Sequence, residues 1–255
     1  MAGVSKIGVA AIALAFAACS PAAPPAAEQA AAPAVAPAPA PEPSGPNTLT
    51  SAEQAAGWQL LFNGKDLTGW KGYKKDAPGA GWTVEDGTLA LTAGGSGDLM
   101  TAAEYGPFEM SLEWKISPKG NSGVIYLINE EPDSVNTYNT GPEMQVLDND
   151  GHADGKIPSH RAGALYDIET PPDGAVKPVG EWNEARIVFT GSKIEHWLNG
   201  QKTAESSYGD VAWKKKVAAS KFKQWKGFGT YPGGHIALQD HGDKVWYRNI
   251  KIKKL

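Results

Sequence analysis

Residues 121–150 read NSGVIYLINEEPDSVNTYNTGPEMQVLDND. Two apolar runs, Val124–Ile128 and Met144–Leu147, carry polar residues at their ends. Successive side chains of a strand point to opposite faces. Glu143 and Gln145 therefore share one face of the second run, and Met144 and Val146 share the other. One face can fill a core while the other offers a carboxylate and an amide to a ligand. Asn121 heads the first run, and Asp148 comes just after the second. A second polar cluster, Gln239-Asp240-His241-Gly242, is expected to complete a site with them.

The flanking sequence has the same character. Phe108 to Ile116 alternates, with Phe108, Met110, Leu112, Trp114 and Ile116 on one face and charged or small polar residues on the other. This is the pattern of a half-buried strand. Further strands are expected at Trp58–Phe62, Trp82–Val84, Thr88–Thr92, Asp98–Thr101, Asn183–Thr190, Lys193–Leu198, Gln201–Ser206, Ile236–Gln239 and Lys244–Lys253. In the last of these Trp246, Arg248, Ile250 and Ile252 would share a face. Glu85-Asp86-Gly87 and Asn199-Gly200 read as hairpin turns. Helix is confined to a turn at Ala52–Gly57, which Ser51 could cap, and to a lysine-rich helix within Ala212–Lys226. Asn149–Val179 is a long polar loop carrying His152, His160, Arg161 and Tyr166, and loops of this length usually serve a function. Many strands, glycine-rich turns and little helix predict an all-β fold, an antiparallel two-sheet sandwich.

The N-terminal part reads differently. Met1–Ala18 has a lysine, a short apolar run and then small residues, the pattern of a signal peptide. The run is too short to span a bilayer as a helix. The single cysteine, Cys19, comes directly after Ala17-Ala18, an arrangement that resembles the lipobox of bacterial lipoproteins. That implies lipidation at Cys19 and a lipid anchor in the cell envelope. Ser20 in the next position favours the outer membrane of a two-membrane host. The Ala/Pro-rich stretch up to Asn47 is extended sequence that cannot bury a core, and reads as a tether. The folded domain is expected over 48–255.

One cysteine cannot form an internal disulfide, so the fold must rest on its own core. The net charge of −4 provides no basic field for nucleic acid. Nine tryptophans are many for 255 residues. Most serve a core, but aromatic faces also suit sugar rings, and Trp70 and Trp246 are the candidates for stacking.

Seven pieces in order, LFNGKDLTGW (61–70), NSGVIY (121–126), GPEMQVLD (141–148), GEWNEARI (180–187), IEHWLNG (194–200), GHIALQDHG (234–242) and YRNIKI (247–252), together resemble the 3-keto-disaccharide hydrolase family. The resemblance spans about Trp58 to Leu255. It implies a concanavalin A-like jelly roll and cleavage of glycosides already oxidised at C3, so the expected partner is an oxidised oligosaccharide or glycoside. A ketone at C3 acidifies the C2 proton, which opens a route by elimination and hydration. That route needs a general base, a general acid and an oxyanion stabiliser. Glu143, His241 and Asp148 are the candidates for proton transfer. Asn121, Gln145, Gln239, Asp240 and Arg248 are candidates for holding hydroxyls or the keto oxygen, with His152, His160, Arg161 and Tyr166 covering the site.

Other readings stay open from the sequence. Asp148-Asn149-Asp150-Gly151 reads more readily as a plain turn than as a site. No cofactor is firmly implied, although Asp148, Asp150, His152 and Asp154 crowd ligand atoms suited to a divalent cation. They fail the EF-hand pattern because Ala153 stands where its glycine belongs. His196 and His235 read as structural. A retaining β-glucanase on the same fold, or a non-catalytic carbohydrate-binding lipoprotein, would use many of the same residues.

Overall fold

The computed structural model describes residues 45–255. The expected signal peptide, Cys19 and most of the tether lie outside the described residues. The strands, in chain order, are β1 Gln59–Leu60, β2 Trp70–Gly72, β3 Trp82–Glu85, β4 Thr88–Leu91, β5 Leu99–Thr101, β6 Phe108–Ile116, β7 Asn121–Ile128, β8 Glu143–Leu147, β9 Asn183–Phe189, β10 Lys193–Leu198, β11 Gln201–Ser207, β12 His235–Leu238 and β13 Val245–Lys254. They form two antiparallel sheets, as the alternation predicts. The larger runs β11-β10-β9-β6-β13-β4-β3, with β1 beside the far end of β13, and the smaller runs β2-β5-β12-β7-β8. This is a two-sheet jelly roll.

The core lies between the sheets. Phe108, Trp114, Phe189 and Tyr247 of the larger sheet meet Val124, Tyr126, Met144 and Leu238 of the smaller. The Phe108 and Tyr126 rings meet edge to face at 6.0 Å. His196 is fully buried on β10, with Nε2 2.8 Å from the Tyr126 hydroxyl and Nδ1 3.2 Å from the Ala164 carbonyl. Burial pulls its pKa down to about 4. The neutral ring donates from Nδ1 to Ala164 and accepts from Tyr126, a structural role. His235 likewise sits 2.9 Å from the Thr101 carbonyl.

Both hairpin turns form as expected, with positive φ at Asp86-Gly87 and Asn199-Gly200, the geometry that fits strand twist. Two bulges alter what simple alternation predicts. Leu127 has a φ of 58°, and the β12–β7 register shifts beside it. Tyr126 and Leu127 both enter the core, while Ile128 emerges on the other face. At Asn249 (φ 53°) the β13–β6 register slips between Arg248 and Lys251. A bulge inserts one extra residue and reverses the facing of the residues beyond it. Trp246 and Arg248 therefore lie on the outer face of the larger sheet and do not share the inward face of Ile250 and Ile252.

The helices differ in detail from expectation. Helix α1, Ser51–Ala55, is capped by Thr50, not Ser51, in a reciprocal capping box with Glu53. Helix α2, Val211–Ala219, stops at Ser220, which has extended backbone and caps a separate 3-10 turn at Lys221–Gln224. The expected single helix is thus broken immediately before Lys221. The long loop after Asp148 packs along the edge of β8: Gln145 N–H donates to the Ala164 carbonyl at 3.2 Å, and Gly163 and Tyr166 N–H groups donate to Gln145 and Glu143 carbonyls at 2.9 and 3.0 Å. This covers an edge strand that would otherwise expose unpaired backbone.

Candidate active site

A cleft of about 750 Å³ opens on the outer face of the smaller sheet. On the same face, Met100, Ile125, Ile128 and Ala237 form a small buried cluster, and Tyr73 and Tyr138, which line the cleft, pack against it. Ile128 joins this cluster only because of the bulge at Leu127. Strands β7 and β8 present Asn121, Glu143 and Gln145 to the cleft. The turn after β12 adds Gln239, Asp240 and His241, and the loops add Asp98, Asp154, Tyr166 and Lys221.

Glu143 is the central group. It is only 5% exposed, and among the described residues its carboxyl has no hydrogen-bond donor. Burial pushes its pKa up to about 8; the Asp98 and Asp154 charges push the same way, and the Lys221 ammonium opposes them. Space for the carboxyl comes from Gly123 on the neighbouring strand. A Cβ there would lie 1.9 Å from Glu143 Oε1. Gly123 has ordinary strand backbone, so the glycine is required for room and not for conformation.

Asp98 is also held above the usual carboxylate range, chiefly by burial. It accepts from the Asp240 N–H at 2.9 Å and from the Thr137 hydroxyl. Tyr166 donates to Asp154 Oδ2 at 3.1 Å, and its phenol is raised well above normal by burial. The Lys221 ammonium stands 4.1 Å from the Tyr166 ring centre, and its backbone N–H donates to Asp167 at 2.7 Å. An ammonium over an aromatic face is stabilised there. The cleft therefore combines a carboxyl that titrates near neutrality, a nearby cation, and several amides and hydroxyls.

The sequence-predicted residues divide into three groups. Glu143, His241, Asn121, Gln145, Tyr166, Gln239 and Asp240 share the cleft wall. Asp240 also shapes it, accepting from Ser96 and Gly97 N–H groups at 2.7 and 2.9 Å. His152 and His160 stand just behind: the His152 ring meets His241 edge to face at 5.8 Å, and His160 stacks on Tyr166 at 4.2 Å.

Asp148, Arg161 and Arg248 are elsewhere. Asp148 accepts from Lys119, Asp150 and Gly151 N–H groups at 2.7, 3.2 and 2.9 Å, so it fixes a turn. Its oxygens are thereby committed, and the cation set sought around it is not assembled. Arg161 pins the loop to the Gly155 carbonyl and Asp173. Arg248 pairs with Glu113 at 2.7 Å and lies 4.1 Å over Trp182 on the opposite side of the sandwich. Neither proposed stacking tryptophan faces the cleft: Trp70 is buried with its Nε1 bonded to the Leu61 carbonyl, and Trp246 bonds Glu85. Sequence reasoning missed Asp98, Lys221, Tyr73 and Tyr138.

A family model described as a 3-keto-alpha-glucoside-1,2-lyase-like domain matches residues 57–253. The chain is 37% identical over 230 residues to the 3-keto-disaccharide hydrolase of Bacteroides thetaiotaomicron, covering 79% of each protein. A candidate glycosyl hydrolase from Parabacteroides distasonis, known as a crystal structure, superposes with a TM-score of 0.77 at 37% identity, covering 83% of this chain and all of that one. A second from the same organism gives a TM-score of 0.58 at 28% identity, covering 78% of this chain and 99% of that one.

Proposed function

From the premise that this chain belongs to the 3-keto-alpha-glucoside-1,2-lyase-like family, and is a glycoside-cleaving hydrolase, we propose that its substrates are glycosides oxidised at C3. The observation that carries this reading is Glu143, buried in a sugar-sized cleft with a pKa of about 8. A base of that strength suits removal of a proton made acidic by a neighbouring ketone. In the proposed course Glu143 takes the proton from C2 and the C2–C3 enolate forms. The C1–O1 bond then breaks as C1=C2 forms, and O1 leaves with a proton returned from the wall of the cleft. Water adds across C1=C2 and releases the free 3-keto sugar.

Lys221 supplies positive charge near the developing enolate, beside a carboxyl that is itself buried. Asn121, Gln145 and Gln239 orient the ring hydroxyls. The route needs one carboxyl near neutrality and not the two opposed carboxyls of ordinary glycosidases. The test is a substrate panel. The protein is expected to release aglycone from a 3-keto-glucoside and to leave the parent glucoside and β-glucan intact. Release from plain glycan would replace this reading with that of a conventional glycosidase, and binding without release with that of a lectin.

The proposal extends to location: Cys19 is lipidated after cleavage at Ala18 and anchors the domain in a bacterial envelope. A Cys19→Ser variant is expected to move from the membrane fraction to the soluble one. Undiminished membrane association of that variant would contradict the anchor.

A further inference from the structure

We infer that the rim of the cleft is a binding site for a first-row divalent cation, held by His152, His241 and Asp243. One ligand atom from each of these residues lies within 4.8 Å of the others. They come from two places: His152 from the loop after β8, and His241 and Asp243 from the turn between β12 and β13. His241 also lines the cleft, so a cation here would face the substrate space that holds Glu143.

A second observation points the same way. Asn121 is buried in the cleft wall, 3% exposed, and its Oδ1 has no hydrogen-bond partner. Its backbone N–H donates to Asp243 Oδ2 at 3.0 Å. An orphaned buried carbonyl oxygen is costly to leave unmatched. Asn121 thus adjoins Asp243 through its backbone and lines the same cleft as His241, and its unmatched oxygen is a neutral acceptor available to water bound by a cation there.

The donor set decides the class of ion. Two imidazole nitrogens and one carboxylate suit zinc, cobalt, manganese or iron, and not calcium or magnesium, which take oxygen ligands. Bonds of about 2.0–2.2 Å bring neighbouring ligands to roughly 3 Å apart, so the trio must close by about 1 Å or more. His241 can supply that movement, because its side chain is 48% exposed and stands 4.0 Å from Asp243. His152 Nδ1 accepts from the Asp154 N–H at 3.1 Å. Binding at either ring nitrogen gives up that bond, through ligation at Nδ1 or through transfer of the Nε2 proton to Nδ1. The loss of one hydrogen bond weakens binding by up to about tenfold.

Three protein ligands on one side leave coordination positions open toward the cleft, as in catalytic rather than structural sites. A ketone oxygen beside a hydroxyl could occupy two of them. The binding claim itself does not rest on the sugar chemistry.

The test uses cobalt(II) chloride alone, added at pH 7.5 to the untagged full chain and tracked by visible absorption and calorimetry. One equivalent is expected to bind with d–d bands of nitrogen and oxygen ligation. His152→Ala and Asp243→Asn are each expected to weaken binding at least tenfold while keeping the melting profile. Asparagine retains an acceptor for the Asn121 N–H, and His152 is only partly buried, so His152→Ala serves if Asp243→Asn fails to fold. No binding to the wild type, or binding unchanged in a folded variant, overturns the site. Either result is independent of the substrate panel, which reads aglycone release.

Discussion

Glu143→Gln is expected to fall 10²–10⁴-fold in turnover on a 3-keto-glucoside, the usual worth of a general base, while melting at a higher temperature than the wild type at pH 7. The two effects share one cause. Folding raises the Glu143 pKa to about 8 from 4.5. The folded protein therefore holds this proton more tightly than the unfolded chain, so stability is present in full below pH 4.5 and is lost progressively as pH rises toward 8. Over the part of that window below pH 7 the loss is about 3 kcal/mol. Glutamine matches the shape without the charge and escapes it. For a domain of this size the gain is about 5–10 °C in melting temperature at pH 7, shrinking to nothing near pH 4. Calorimetry across pH with initial rates checks both parts. A variant that melts lower at pH 7, or that keeps full turnover, would contradict the assignment of Glu143.

Gly123→Ala is expected to lose activity almost as severely, about 10²-fold or more, with much less effect on folding. The new methyl would stand 1.9 Å from Glu143 Oε1 and 2.7 Å from its Cδ, so the carboxyl must swing away. Strand backbone accepts alanine readily, and the displaced side chain can turn toward the open cleft. The double variant Gly123→Ala with Glu143→Gln separates this from general disruption. If the methyl acts only by displacing the carboxyl, the double variant should be no slower than Glu143→Gln alone, since residues acting as one unit are not additive. Additive losses would show that Gly123 matters for some other reason.

The scaffold was readable from sequence wherever one physical signal acted alone. The alternation of Phe108–Ile116 is that of β6 residue for residue, and Asn199-Gly200 closes the hairpin it announces. The wall of the site was partly readable too, because strand periodicity puts Glu143 and Gln145 on one face whatever the partner strand. Reading failed where a single residue reset the period. Asn249 looks ordinary in sequence, yet its left-handed backbone moves Arg248 to the far side of the sandwich. Asp98 and Lys221 were illegible for another reason. Each looks like a solvated charge beside glycines or lysines, and only tertiary folding brings them to Glu143. Asp148 was a candidate for chemistry because a carboxylate next to a strand end resembles a catalytic acid; its sequence also read as a turn, and the three backbone N–H groups it receives favour the turn.

Strand β13 is the last of the described strands in chain order, and it lies in the interior of the larger sheet, between β6 and β4. Until a ribosome has released Val245–Lys254, the earlier strands lack the piece that joins them. Domains usually begin to fold as they are synthesised, but this one is obliged to wait. The pairs that close the larger sheet are therefore the ones β13 makes with β6 and β4, and they form last in chain order.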